Sequence, residues 1–132
     1  MTRETFEVVV VVRRRDEFLV VHRAPEKGGY WHTIAGGVEP GEEWHGAAVR
    51  ELHEETGLAV TELREIGGFE YVREEWEEQP GMRVTVRAFL TGVPQGWEPA
   101  LDHEHDDYRW CTQAEAVELL FWPEPREILR AL

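Results

Sequence analysis

The stretch Arg-Glu-Leu-His-Glu-Glu-Thr-Gly at residues 50–57 constrains the fold most, because it closes a segment with clear helical periodicity. Apolar residues in the predicted helix, residues 43–56, recur on one face, at Ala47, Ala48 and Leu52. Gly57 follows directly, and glycine is the usual residue just past a helix C-terminus. We therefore expect an amphipathic helix that packs on a sheet and ends at the glycine.

Three glutamates share one edge of this predicted helix. Glu51 lies three residues before Glu54 and four before Glu55, so the carboxylates project from neighbouring turns. Like charges at these spacings repel by a few tenths of a kcal/mol per exposed pair, roughly. The edge is therefore either an ordinary solvated face or a cation site.

The remaining periodicity predicts strands alternating with helices in one domain, residues 1–132. Predicted strands cover residues 6–12, 18–21, 58–70, 82–90 and 108–111; predicted helices after the first cover 114–120 and 124–132, separated by Pro123. The first two strands form a hairpin. This pattern favours an α/β or α+β layered sandwich.

Charge and cysteine content exclude several classes of protein. The net charge is −13, which argues against binding to nucleic acid polymers or anionic membranes. Cys111 is the single cysteine, so neither an intramolecular disulfide nor a cysteine zinc cluster is expected. The apolar run near the N-terminus is too short to span a bilayer and does not look like a signal peptide. We expect a cytoplasmic protein, and oligomeric state is not readable.

The acidic stretch belongs to a longer motif with fixed spacing. Gly36 is followed after five residues by Glu42, and seven further residues lead to Arg50-Glu51-Leu52, Glu54-Glu55 and Gly57-Leu58. This pattern resembles the signature of the Nudix hydrolases at every specified position over residues 36–58. The resemblance implies the Nudix fold, an α/β/α sandwich with a mixed central sheet.

A metal site is the function that the acidic edge favours in this context. Carboxylate oxygens on one helix edge suit Mg²⁺, with Mn²⁺ as a second option, and such ions bridge to substrate phosphates. The predicted ligands are Glu51, Glu54 and Glu55. The resemblance adds the backbone carbonyl of Ala35, the residue before the motif glycine.

Arg50 and the glycines are expected to support those ligands. Arg50 can pair with Glu54 one turn on or with Glu42 across the loop, and so orient an acid behind the metal. Gly36, followed by Gly37, allows the backbone to approach the helix closely. These are supporting roles, and we also count Arg50 among the catalytic candidates.

The general base has two candidates, Glu54 within the motif and Glu104 in a later loop. The sequence around Glu104 resembles that of the dATP and dihydroneopterin triphosphate pyrophosphatases, a Nudix branch whose loop glutamate assists the metal or the water. Glu104 is otherwise a solvated loop acid. His103 and His105 could alternatively chelate zinc, since alternate residues of an extended segment share a face.

Three residues are candidates for binding substrate. Arg23 resembles the family arginine that reaches phosphate, and its planar fork can bind phosphate oxygens bidentately. Trp31 and Tyr30 can stack on a base or pterin ring. The plainer alternatives are a surface charge at a strand end for Arg23 and core packing for Trp31. Trp44, Trp110 and Trp122 are interpreted as packing.

The resemblance implies a magnesium-dependent pyrophosphohydrolase. Its substrate would be a nucleoside triphosphate or a pterin triphosphate, cleaved by water attack at phosphorus to the monophosphate and pyrophosphate. One alternative is hydrolysis of dinucleoside polyphosphates, nucleotide sugars or ADP-ribose. Another is a non-catalytic Nudix domain that senses a nucleotide, although such domains typically lose the glutamates that this chain keeps.

Overall fold

The computed structural model describes residues 4–132, which form seven strands and three α-helices. The strands are β1 (Glu4–Arg14), β2 (Glu17–Arg23), β3 (Trp31–His32), β4 (Ile34–Gly37), β5 (Arg64–Val72), β6 (Arg83–Gly92) and β7 (His105–Cys111). The helices are α1 (Trp44–Thr56), α2 (Gln113–Leu119) and α3 (Pro123–Arg130). A single turn of 3₁₀ helix, Pro25–Lys27, lies between β2 and β3.

The seven strands form one mixed sheet around β1. β1 pairs in parallel with β6 along most of its length and antiparallel with β4, while β5 adds to the far edge of β6. β2 continues from β1 through a hairpin and carries β3 and β7. Residues 8–12 of β1 are all valines that are fully or almost fully buried, as expected for a strand covered on both faces.

Helices cover both faces of this sheet. Ala47, Ala48 and Leu52 of α1 pack on one face, against Val8, Val10 and Val12 among others. Ala116, Leu120 and Leu129, from α2, its C-terminal end and α3, pack on the other face against Val11, Phe18 and Val20. The predicted α/β/α sandwich with a mixed sheet is therefore confirmed.

The helix that carries the acidic edge begins and ends where the sequence predicted, to within one residue. Gly57 adopts φ of 80°, and its N–H donates to the carbonyl of His53 at 2.9 Å. A left-handed residue at this position is strained for any side chain with a Cβ, which explains the glycine.

Three predicted boundaries were wrong. The strand predicted for residues 58–70 begins only at Arg64, because Leu58, Val60 and Leu63 pack on the α1 side as an irregular segment. β7 begins at His105, three residues before the predicted start, since it pairs with β2. Pro123 does not separate the last helices but begins α3, where its missing N–H costs nothing.

No helix within residues 4–132 has the length and apolar character required to cross a membrane.

Candidate metal and phosphate site

A cavity of about 570 Å³ opens beside α1 and β4, and it contains most of the predicted site residues. One side is formed by Ala35, Gly36, Gly37, Glu51 and Glu55. The rest of the lining comes from β1, the loop after β2, the end of β5 and its following loop, β6, and the loops before β7 and α3. This is the size range of pockets that hold small-molecule ligands.

Gly36 brings the backbone of β4 directly against the carboxylate of Glu51. A Cβ placed on Gly36 would lie 2.0 Å from the carboxyl carbon of Glu51 and 2.2 Å from its Oε1. Non-bonded heavy atoms do not approach each other this closely, so only glycine fits while Glu51 keeps this position. A Cβ placed on Gly37, the next residue, would have no atom within 4 Å, so Gly37 carries no such restriction.

Glu51 and Glu55 lie together at the inner end of the cavity. Burial raises the pKa of both carboxyl groups, and for Glu55 the neighbouring Glu51 raises the pKa further. The Glu55 side chain is 6% exposed, and its Oε1 is fully buried without a hydrogen-bond partner. Burial disfavours the charge of both acids, and Glu51 further disfavours the charge of Glu55. A divalent cation would stabilise both charges, so these residues fit the predicted metal.

Arg50 is held by acceptors on three sides. Its Nε and Nη2 donate to the two carboxylate oxygens of Glu42 at 2.8 and 2.9 Å. Nη1 donates to Glu51 at 2.8 Å and to Glu54 at 3.3 Å, and Nη2 also donates to the carbonyl of Gly37 at 2.7 Å. These hydrogen bonds lower the pKa of Glu42 to about 2 and raise that of Arg50.

The structure therefore brings Arg50 together with both partners that the sequence offered, Glu42 and Glu54. A guanidinium that donates to this many acceptors is held in one orientation. Arg50 therefore fixes α1 relative to the loop before it. Arg50 does not line the cavity. Its position supports a role in orienting Glu51 rather than in touching a substrate.

Glu54 differs from the other two helix glutamates. Its side chain is 54% exposed, pairs with Arg50, and does not line the cavity. Across residues 4–132 no three side chains of the His, Cys, Asp and Glu types are already gathered as a metal site. Two of the three helix glutamates thus line the cavity, and Glu54 and the Ala35 carbonyl stay predicted ligands.

Glu104 and two basic residues also line the cavity. The carboxylate of Glu104 lies 3.9 Å from the ammonium of Lys27. Arg23 is held by a hydrogen bond from Nε to the carbonyl of Lys27 at 2.9 Å. The same cavity thus holds the glutamate pair and two cations, and guanidinium and ammonium groups suit phosphate.

Aromatic rings form the outer wall. Tyr30, Trp76 and Trp122 line the cavity, and the indoles of Trp76 and Trp122 are parallel, 5.5 Å apart and inclined by 6°. Tyr30 meets Trp122 edge to face at 5.8 Å. Trp76 is 60% exposed, which leaves one indole face open to a ligand.

Trp31 does not join this wall. It packs against the core cluster on the α2 and α3 side, with the guanidinium of Arg109 4.9 Å from its ring, and does not line the cavity. Trp122, interpreted from the sequence as packing, lines the cavity instead. The sequence held no signal for this exchange, because Trp76 and Trp122 come from loops that only the fold brings together.

The root of the loop that carries Trp76 is fixed to β1. The hydroxyl of Tyr71 and the guanidinium of Arg73 donate to the two oxygens of Glu7 at 2.9 and 3.1 Å. Burial, and then Glu7, raises the pKa of the Tyr71 phenol. All three residues line the cavity, and sequence reasoning missed Glu7 and Tyr71.

Two further histidines approach the site. Burial, with smaller contributions from Arg23 and His105, lowers the pKa of His32 to about 3, so this cavity-lining ring is neutral at physiological pH. His105 points inward, with its Nε2 3.5 Å from Oε1 of Glu55, whereas His103 is exposed. The two side chains of the zinc alternative therefore do not share a face.

Comparison with known proteins places the chain in a family. The family model described as the NUDIX domain matches residues 1–132. The chain belongs to the Nudix hydrolase family. The resemblance found in residues 36–58 is thereby confirmed over the whole length.

Relatives of this Nudix chain carry different names. The CTP pyrophosphohydrolase of Escherichia coli K12 is 32% identical over 128 residues, 95% of this chain and 89% of that protein. A Myxococcus xanthus protein named octanoyltransferase is 35% identical over 128 residues, which are 96% of this chain but 35% of that protein. The chain thus spans about a third of the latter relative.

Among solved structures, the E. coli dihydroneopterin triphosphate pyrophosphohydrolase superposes with a TM-score of 0.85 at 22% identity. The match covers 100% of this chain and 97% of that chain. At this identity the likeness establishes a shared Nudix fold and nothing finer.

Proposed function

We propose that this Nudix chain hydrolyses a nucleoside triphosphate or a pterin triphosphate to the monophosphate and pyrophosphate, with Mg²⁺ or Mn²⁺ as cofactor. The observation that carries the proposal is the pair of carboxylates, half-buried Glu51 and buried Glu55, in a cavity that is also lined by cations and aromatic rings. The carboxylates suit a divalent cation that bridges to phosphate, the cations suit phosphate oxygens, and the aromatic rings suit a heterocycle.

The metal would be held by Glu51 and Glu55, joined by Glu54 and the backbone carbonyl of Ala35. When bound, the ion supplies positive charge against the phosphate oxygens and acidifies water. The chain itself keeps Glu51 in place through Gly36 and Arg50. Since the net charge of the chain is −13, the positive charge of the bound ion would also reduce its repulsion of an anionic substrate.

Glu104 is the better supported of the two candidate bases. It lines the cavity together with Glu51 and Glu55. Glu54 does not line the cavity and pairs with Arg50. We propose that Glu104 accepts the proton of the attacking water.

Substrate contacts divide between phosphate and ring. Arg23 and Lys27 would bind the phosphates, because both are cations that line the same cavity as the acids. The ring would stack on Tyr30, Trp76 and Trp122 rather than on Trp31. Stacking on flat apolar surfaces tolerates several heterocycles, which is compatible with either a base or a pterin.

Hydrolysis of a dinucleoside polyphosphate, a nucleotide sugar or ADP-ribose is the second candidate. A cavity of about 570 Å³ that is open at the aromatic wall leaves room for a second moiety beyond the ring. A non-catalytic nucleotide sensor is disfavoured by the intact glutamates. We further propose a cytoplasmic location and small-molecule substrates rather than nucleic acid polymers.

The experiment is a substrate screen with Mg²⁺ and phosphate detection. It includes nucleoside triphosphates, dihydroneopterin triphosphate, dinucleoside polyphosphates and ADP-sugars. We expect turnover of at least one triphosphate, abolished by excess chelator and restored by Mg²⁺. Glu55→Gln should reduce kcat by at least about 100-fold, because it removes a charge that the metal needs.

His53→Gln is the matched control, since His53 is exposed on the same helix. It should leave turnover unchanged. Full turnover in excess chelator, or an unaffected Glu55→Gln enzyme, would contradict the proposal. Wild-type protein that hydrolyses none of these compounds, yet shows ligand-dependent partner binding that Glu55→Gln retains, would indicate a sensor.

A further inference from the structure

A buried histidine lies directly behind Glu55 and is itself held by a second carboxylate. His105 is the first residue of β7, and its Nδ1 lies 2.8 Å from Oδ1 of Asp102. Its Nε2 lies 3.5 Å from Oε1 of Glu55. The imidazole is 2% exposed and the Asp102 side chain 16%, so the contacts from Asp102 through His105 to Glu55 are largely shielded from solvent.

The two atoms that face each other between His105 and Glu55 lack hydrogen-bond partners. Nε2 of His105 and Oε1 of Glu55 are both fully buried, and neither makes a hydrogen bond. A buried polar atom without a partner costs roughly 1–3 kcal/mol, and here two such atoms face each other. A contraction of about half an ångström would make them partners at ordinary hydrogen-bond length.

Asp102 leaves the imidazole little freedom. Charged carboxylates can only accept, so Nδ1 donates to Asp102, and a hydrogen bond to Glu55 needs a hydrogen on Nε2 as well. The same Oδ1 accepts the N–H of Glu104 at 3.3 Å, which ties the turn before β7 to the ring. The ring is therefore fixed in plane with Nε2 directed at Glu55.

The geometry points to His105 as a positioning residue that fixes one oxygen of Glu55 by a hydrogen bond donated from Nε2–H and so directs the other oxygen to the divalent cation. Asp102 holds His105 in that orientation. This inference rests on the proposed function, because it assigns His105 a role toward the proposed metal. Carboxylates that bind metals are commonly held by hydrogen bonds from neighbouring groups.

Metal affinity measured without substrate tests the inference. Mn²⁺ binding to the full chain is followed by the electron paramagnetic resonance signal of the free ion. We expect His105→Phe to raise the dissociation constant for Mn²⁺ at least about 10-fold, the usual effect of losing such a support. His105→Gln, which can place an N–H near the former Nε2, should restore affinity at least in part.

His103→Gln is the matched control, because His103 is exposed two residues away in the same segment. It should bind Mn²⁺ as wild type does. Thermal unfolding of each variant is recorded so that loss of fold is separated from loss of affinity. If His105→Phe does not fold, the pair His105→Gln and His105→Asn replaces it, and only Gln should support binding.

A double-mutant cycle with Glu55→Gln shows whether His105 acts through Glu55. In the Glu55→Gln background, replacing His105 should change the Mn²⁺ dissociation constant by less than about 2-fold. A folded His105→Phe protein with wild-type affinity, equal binding by the Gln and Asn variants, or fully additive effects would each overturn the inference. Wild-type protein that binds no Mn²⁺ would instead overturn the proposed function.

Discussion

At the scale of the residue, Gly36 has the tightest restriction in the site. The glycine is explained by contact and not by backbone conformation, because a Cβ there would overlap the carboxylate of Glu51. Neighbouring Gly37 faces open space. The two adjacent glycines thus differ in what they permit, and only Gly36 is required by the position of Glu51.

We therefore expect Gly36→Ala to displace Glu51 from the cavity and weaken Mn²⁺ binding at least about 10-fold. Isothermal titration with Mn²⁺ measures the effect. Gly37→Ala is the control on the same strand, and it should retain wild-type affinity. Equal affinities for the two variants would mean that Glu51 binds no metal from this position.

Glu42 gives a prediction about pH. Because hydrogen bonds from Arg50 lower the pKa of Glu42 to about 2, its charge favours the folded state. The stabilisation is complete above the ordinary glutamate pKa of 4.5 and is lost as the pH falls from there toward the folded value. Glu42→Gln should lower the free energy of unfolding by about 1.5 kcal/mol at neutral pH.

Urea titrations of wild type and Glu42→Gln at several pH values measure this difference. It should shrink steadily as the pH is lowered below 4.5. Glu43→Gln is the control, because Glu43 is exposed and makes no capping hydrogen bond with its side chain. A difference that does not depend on pH would show that the Glu42 charge is not the stabilising feature.

At the scale of the element, the loop between β5 and β6 carries the most exposed part of the site. Its root is fixed by Glu7, Tyr71 and Arg73, while Trp76 extends over Trp122. Firm attachment at the root and exposure at the tip are typical of loops that contact ligands.

Trp76→Ala should raise KM about 10-fold for triphosphates that carry a ring, since stacking contributes roughly 1–3 kcal/mol per base. Phosphoribosyl diphosphate, which has no heterocycle, should show no change if it is hydrolysed. Steady-state kinetics with both substrates measure the contrast. Val72→Ala, exposed and outside the cavity, is the control, and an unchanged KM in Trp76→Ala would remove Trp76 from the site.

The elements also show what the sequence could and could not predict. The helix with Glu51 and Glu55 was predictable because its apolar spacing, acidic edge and closing glycine all lie within about 15 residues. The strand predicted for residues 58–70 was wrong at its start, since partly buried apolar residues there pack without strand pairing. Local pattern identifies burial more reliably than the backbone conformation that produces it.

At the scale of the whole molecule, the site depends on contacts between distant parts of the chain. β1 pairs with β6 across more than half of the sequence, and Trp76 meets Trp122 from separate loops. Trp31 was predicted from the sequence to stack on the substrate, yet it packs against the core on the α2 and α3 face of the sheet. Periodicity has no information about which loops meet, so Tyr30 was predicted from the sequence but the pairing of Trp76 with Trp122 was not.

The valine run of β1 has a consequence for how this chain can change over time. Residues 8–12 are buried on both faces, and β4 with Gly36 is paired to them, so the acid pair rests on the least mutable part of the protein. The aromatic rings rest on surface turns that tolerate substitution. Substitutions at a few turn residues can therefore change the preference for a heterocycle while Glu51 and Glu55 keep their positions.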